Sequence, residues 1–242
     1  MHYSFKGKKV LITGAGRGIG KDIATTLFAE GATVYALSVT SENLKKLENE
    51  CPGINTIQCD LGNWKATEKA LENLETLDFL VNNAGIAVQQ KLSESTEETF
   101  DLMFNVNVKS FINVTKIVTN KMIAAGKKGS IVNVSSVGGL KAGPELMIYN
   151  CTKASVEMLT KSMAKQLAPH NIRVNSINPT VVLTDMGIGL WDKVAEDYRK
   201  TLPLQQFPKT EHCTNAVLFL LSDLSEMTTG AYLPVDAGDL LN

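Results

Sequence analysis

The chain of 242 residues contains no long apolar run. No stretch approaches the roughly 18 apolar residues of a membrane span, and residues 1–10 do not read as a signal peptide, so a soluble, cytoplasmic protein with no membrane partner is expected. Charge of one sign is also missing: 24 basic residues stand against 25 acidic ones, a formal net charge of -1. That balance gives no electrostatic reason to expect nucleic acid or an anionic lipid surface, and favours a small-molecule partner. Cysteine and histidine are sparse. Cys51, Cys59, Cys151 and Cys213 form no CxxC pair and His2, His170 and His212 are scattered, so free thiols and no metal site are expected. Three Asn-X-Ser/Thr matches, at Asn113, Asn133 and Asn150, fall inside predicted strands or helices or beside the candidate site and read as chance.

What the chain does hold is 44% hydrophobic residues, enough for a continuous core in one α/β domain spanning 1–242. Short β-branched runs alternate with longer amphipathic segments, the pattern of βα units building a parallel sheet. Strands are predicted at 10–13, 33–37, 55–59, 77–81, 130–134, 172–177 and about 231–235. Helices are predicted at 19–30, 41–51, 64–74, 97–125 with a bend near Asn105 to Asn107, 149–168 and 211–221. The expected fold is a Rossmann-type, doubly wound parallel sheet of about seven strands with helices on both faces. Gly187, Gly189, Pro203 and Pro208 break the alternation over 180–208. Lying after the sixth strand, this insertion is well placed to cover a ligand and is the candidate lid.

The segment Thr13-Gly-Ala-Gly-Arg-Gly-Ile-Gly20 follows a strand and opens a helix. Bare amides and the helix dipole at such a turn can hold a pyrophosphate, with Gly14, Gly18 and Gly20 as the key glycines and Ile19 where the strict fingerprint would have its third. After the second strand come Ser38, Val39 and Thr40, with no carboxylate to accept from a ribose 2'-hydroxyl and repel a 2'-phosphate. Ser38 and Thr40 can donate to such a phosphate and Arg17 can pair with it in fork geometry, so NADPH is favoured over NADH.

Tyr149 and Lys153 stand one helical turn apart, with Ser136 thirteen residues before the tyrosine. A phenol titrating near ~10 is a poor acid-base group at neutral pH unless a cation stabilises its phenolate, and i, i+4 spacing places Lys153 to do so. The pair alone occurs often by chance. Together with the glycine turn, Asn82-Asn83-Ala84-Gly85 after the fourth strand, Asn107, Asn178-Pro179 and Pro234-Val-Asp-Ala-Gly238, it makes the chain resemble a short-chain dehydrogenase/reductase over nearly its whole length.

Within that family the chain is most similar to the dicarbonyl and L-xylulose reductases, through Cys51-Pro-Gly-Ile54, Asp60-Leu-Gly-Asn-Trp64, Asn178-Pro-Thr-Val-Val182 and Met227-Thr-Thr-Gly230. The resemblance implies NADPH-linked reduction of α-dicarbonyls and of L-xylulose to xylitol, by a homotetramer. It implies Tyr149 as proton donor, Ser136 as the group orienting the carbonyl, Lys153 depressing the tyrosine pKa and bonding the nicotinamide ribose, and Asn107 holding a water that passes protons to Lys153. It also carries cofactor contacts onto Asp60 and Leu61, onto Asn83, Ala84 and Gly85, and onto Pro179, Val182 and Thr184. Leu146 and Trp191 join Ser136 and Tyr149 at the substrate. Val39 departs from an arginine at the 2'-phosphate, and Leu146 from a histidine in the substrate pocket.

Other readings stay open at this level. Asn107 also suits the cap of a bent helix, Trp191 a core aromatic of the lid, and Asp60 the start of a turn. The carbonyl could belong to an acyl chain or steroid, or the protein could be a non-catalytic dinucleotide-binding redox sensor.

Overall fold

The computed structural model describes residues 4–143, 145–184, 186–187 and 195–241. Seven parallel strands form one sheet in the order β3-β2-β1-β4-β5-β6-β7. They are β1 Lys9–Thr13, β2 Thr33–Ser38, β3 Asn55–Gln58, β4 Phe79–Asn82, β5 Gly129–Val134, β6 Ile172–Pro179 and β7 Tyr232–Val235. The helices between them are α1 Gly18–Ala29, α2 Ser41–Glu50, α3 Trp64–Ala70, α4 Glu97–Phe104, α5 Ser110–Ala124, α6 Met147–Leu167, α7 Ala195–Thr201 and α8 Thr210–Leu221.

Both faces of the sheet are buried, and the strand pleat sorts successive residues between them. Val10 and Ile12 enter a core with α1 and α8, through Ile23, Leu27 and Val217, while Leu11 between them enters the opposite core. That second core packs Leu80 and Ile131 against Val114, Val118 and Met122 of α5. The near-continuous apolar runs of the central strands follow from this two-sided burial. This is the expected doubly wound fold.

Three boundaries differ from expectation for physical reasons. The α3 helix stops at Ala70 although Leu71 and Leu74 keep helical spacing; both leucines are buried from a turn instead. Strand β4 begins at Phe79, because the Asp78 carboxylate accepts from the Lys9 amide at 2.9 Å at the point where a ladder would start. The 180–208 insertion, expected to be irregular, carries α7. The predicted bend is a π turn at Asn105–Lys109, closed by the Ser110 amide donating five residues back to Asn105. Such an insertion into the i to i−4 ladder displaces the helix axis and frees backbone groups.

Strand order reverses between β1 and β4, and ligands in open α/β sheets sit beyond the strands' carboxyl ends at such a point. The two strand ends are tied together by Thr13, whose hydroxyl accepts from the amides of Asn83 (2.9 Å) and Ala84 (3.0 Å).

Candidate active site

A cavity of about 480 Å³ opens beyond the carboxyl ends of β1, β2, β4, β5 and β6. The glycine turn forms one wall. Gly14 has φ +67°, and a Cβ there would lie 2.9 Å from the Ala84 Cα. Only glycine adopts this conformation at this approach without strain. Asn83 grips the same turn from behind, its side-chain amide donating to the carbonyls of Thr13 (3.0 Å) and Gly14 (3.2 Å). Gly18 and Ile19 line the cavity, and Thr184 lies against Gly18. Gly20, expected to contact the cofactor, stands instead behind the lining residues. A Cβ at Gly20 would lie 2.4 Å from the Gly14 carbonyl oxygen, so this glycine lets the helix close onto the turn.

At the next stretch of wall Ser38, Val39, Thr40 and Arg17 meet. Val39 is 61% exposed, whereas the Ser38 hydroxyl is largely buried and accepts from the Thr40 amide at 3.4 Å. Asp60 and Leu61 also line the cavity, and the Asp60 carboxylate accepts from the Gly62 amide at 2.9 Å, so the turn and the wall are one structure. Ala84, Gly85, Pro179, Val182 and Thr184 continue the surface. A cradle that side chains would fill, backed by a helix N-terminus, fits the pyrophosphate of a nicotinamide dinucleotide.

The opposite end of the cavity carries Ser136, Leu146, Tyr149 and Lys153. Ser136 caps a short 3-10 turn, Val137–Gly139, and its Oγ accepts from the Gly138 amide at 3.0 Å. That acceptance leaves the serine proton for another partner, and a Cβ on Gly138 would lie 3.4 Å from Ser136 Oγ and 3.5 Å from the Tyr149 ring, so the two side chains are neighbours. The Lys153 ammonium is buried, donates to the Val134 carbonyl at 2.9 Å and lies 5.6 Å from the Tyr149 ring centre. Leu146 is buried at the start of α6 and presents only apolar surface.

Burial raises the Tyr149 phenol above its ordinary value, and the hydrogen bond from Ser136 pulls it part of the way back. The net shift is upward, opposite in direction to the depression expected from Lys153, because burial is its largest cause. Lys153 itself is lowered by burial from 10.5 to about 8, with Glu157 opposing the fall. At neutral pH it remains mostly cationic.

Asn107 lies behind this wall, buried, and does not line the cavity. Its Oδ1 accepts from the Ile86 amide at 2.9 Å, and its Nδ2 donates to the Ile86 carbonyl at 2.9 Å and to Thr152 Oγ1 at 3.0 Å. Thr152 in turn donates to the Tyr149 carbonyl at 2.6 Å. Both Nδ2 donors are engaged, while Oδ1, with two lone pairs and one bond, keeps the capacity to accept from a water. Trp191 lies outside the described residues.

Sequence reasoning missed the polar framework beneath the site. Asn82 donates to Asn133 Oδ1 and Thr115 Oγ1, both at 2.9 Å, and Asn133 donates to Thr160 Oγ1 at 2.9 Å. Asn178 Nδ2 donates to the Ser136 carbonyl at 3.1 Å and to Glu157 Oε1 at 2.7 Å. The available signal was asparagine at the ends of β4 and β5 and near the end of β6, where a doubly buried strand should be apolar. Lys141 and Tyr198, on the cavity wall, were also missed.

Among the described residues there is no cluster suited to a metal ion, and no helix is long and apolar enough to cross a membrane. Residues 14–239 match a family model described as enoyl-(acyl carrier protein) reductase. The chain is 48% identical to L-xylulose reductase of Homo sapiens, covering 98% of each chain. It is 47% identical to carbonyl reductase [NADPH] 2 of Sus scrofa, covering 99% of each. Among solved structures, a gluconate 5-dehydrogenase from Burkholderia cenocepacia in complex with NADP and tartrate superposes with a TM-score of 0.92 at 29% identity, over 99% of this chain and 98% of that one. The cavity, the ordered motifs and these full-length similarities lead to one conclusion: the chain belongs to the short-chain dehydrogenase/reductase family.

Proposed function

We propose that the protein is an NADPH-dependent carbonyl reductase acting on small ketoses such as L-xylulose and on α-dicarbonyls. The observation that carries this reading is Ser136 and Tyr149 beside the buried Lys153 ammonium, all on one cavity with the glycine turn. The printed activities of the similar reductases support the substrate class.

When bound, the nicotinamide supplies a hydride to the carbonyl carbon. Negative charge then grows on the carbonyl oxygen, and donors aimed at that oxygen lower the barrier. Ser136, its lone pair already engaged by the Gly138 amide, donates to the oxygen and orients it. Tyr149, kept protonated by burial, delivers its proton. Lys153 stabilises the resulting phenolate, and Tyr149 and Lys153 would hold the nicotinamide ribose. Gly14, Gly18 and Ile19 would hold the pyrophosphate and Arg17, Ser38 and Thr40 the 2'-phosphate. Asp60 and Leu61 would flank the adenine.

A lid role for the 180–208 segment is in keeping with its described residues Thr180, Val182, Thr184 and Tyr198 on the cavity wall; residues 185 and 188–194 lie outside the described residues. A cytoplasmic homotetramer suits the exposed Phe100, Leu102 and Ile112 of α4 and α5 and Met147 and Met158 of α6. The test is a panel of L-xylulose, diacetyl, a long-chain acyl ketone and a steroid ketone with each nicotinamide cofactor. Reduction of the first two with NADPH is expected; reduction only of the acyl or steroid ketone defeats the assignment. Sedimentation tests the tetramer.

A further inference from the structure

Asp239 lies in the short 3-10 turn Asp239–Leu241 near the C-terminus and is 1% exposed. A carboxylate so buried must be compensated. Its Oδ2 accepts from the Thr180 and Tyr198 hydroxyls, both at 2.7 Å, and its Oδ1 accepts from the Lys141 ammonium at 2.5 Å. The Asp239 backbone carbonyl accepts from the same ammonium at 2.8 Å. The three partners come from three separate segments: the loop after β5, the end of β6, and α7. All three line the cavity that holds Ser136 and Tyr149.

An ammonium has three donors, and Asp239 takes two of the Lys141 donors. The lysine is 31% exposed, on the cavity wall. Its charge is matched by the one carboxylate, so the pair offers a strong directed donor without a net charge that would select an anion. Leu146, on the same wall, has no polar atom to offer from its side chain.

We propose that Lys141, held by Asp239, donates a hydrogen bond to a hydroxyl of the substrate and thereby selects neutral polyhydroxylated carbonyl compounds. Lys141 is the specificity-determining residue, and Asp239 is a positioning residue acting through it. The inference deepens the proposed function and rests on it. Tyr198, pushed up to about 12 by burial and by its hydrogen bond to Asp239, stays a donor to that carboxylate across the working pH range.

The experiment compares kcat/KM for L-xylulose, which carries hydroxyls, with that for diacetyl, which carries none, in wild type, Lys141→Met, Lys141→Arg and Asp239→Asn. In Lys141→Met the ratio of xylulose to diacetyl efficiency should fall by about tenfold or more, the scale of one hydrogen bond from a charged donor, and the fall should lie in KM rather than kcat. Lys141→Arg should recover most of the ratio. Asp239→Asn should lower it in the same direction, again through KM. If that variant does not fold, Lys141→Met still decides. A ratio within about twofold of wild type in Lys141→Met overturns the inference, including when both efficiencies fall together. A wild-type enzyme that reduces neither compound with NADPH instead overturns the proposed function itself.

Discussion

Glu157 sits one helical turn beyond Lys153 on α6, and its carboxylate supports the Lys153 charge against burial. The carboxylate is itself held by Ser176 Oγ at 3.1 Å and Asn178 Nδ2 at 2.7 Å. Lys153 therefore owes its cationic state at neutral pH partly to a residue that does not line the cavity.

The pH dependence follows with a definite sign. Lys153 titrates at about 8, so kcat/KM for carbonyl reduction should fall as pH rises through that value and the cation is lost. In Glu157→Gln the supporting charge is gone, and the fall should move to lower pH. An unmoved profile would remove Glu157 from this role. Stability runs the other way. A lysine lowered from 10.5 to about 8 penalises the folded state fully below pH 8, and the penalty is released between 8 and 10.5. It amounts to up to about 3 kcal/mol, so urea midpoints should rise across that window by a contribution absent in Lys153→Met.

Tyr149→Phe removes the proton donor and keeps the ring over which Lys153 sits. Turnover should fall by roughly 10² or more, the scale of a general acid, while NADPH binding weakens by no more than about tenfold, the scale of one lost hydrogen bond to the ribose. Fluorescence titration with NADPH alongside steady-state rates measures both. Wild-type turnover in this variant would take Tyr149 out of the mechanism.

Those two predictions separate what could be read in the chain from what could not. Tyr149, Lys153 and Gly14 were legible because each is fixed by local rules: helical spacing, or a turn after a strand. The fold was legible for the same reason, since alternating βα periodicity is local and two-sided burial makes the central strands nearly all apolar. The sign of the Tyr149 shift was not, because burial, its largest cause, is a property of the assembled cavity and not of helical spacing. Asp239 was not legible either. Its partners lie 98, 59 and 41 residues away along the chain, and no periodicity links them. Trimming α3 at Ala70 likewise depended on where Leu71 and Leu74 found their packing partners.

Gly14→Ala tests the cradle. At φ +67° an alanine is strained, and its Cβ would press the Ala84 Cα at 2.9 Å, a backbone atom that cannot swing aside. A cost of about 1–3 kcal/mol in thermal or urea unfolding is expected, with NADPH affinity reduced because the turn must shift. Gly7, at φ +74° with open space around the same position, is the control. Its alanine variant should be strained but should leave NADPH affinity unchanged.

The cofactor's 2'-phosphate is tested by changing charge where Arg17 and Val39 line the cavity. Arg17→Ala should weaken NADPH by about tenfold or more and NADH much less, since only the phosphate accepts a charge-assisted hydrogen bond there. Val39→Arg should act in the opposite direction. The side chain is 61% exposed, so the longer guanidinium can be accommodated without disturbing the core, and it adds a second cation beside Ser38 and Thr40. The ratio of NADH to NADPH dissociation constants should then rise above wild type and fall more steeply with added salt, because the gain is electrostatic and partly screened. Equal effects of Arg17→Ala on both cofactors would place the phosphate elsewhere.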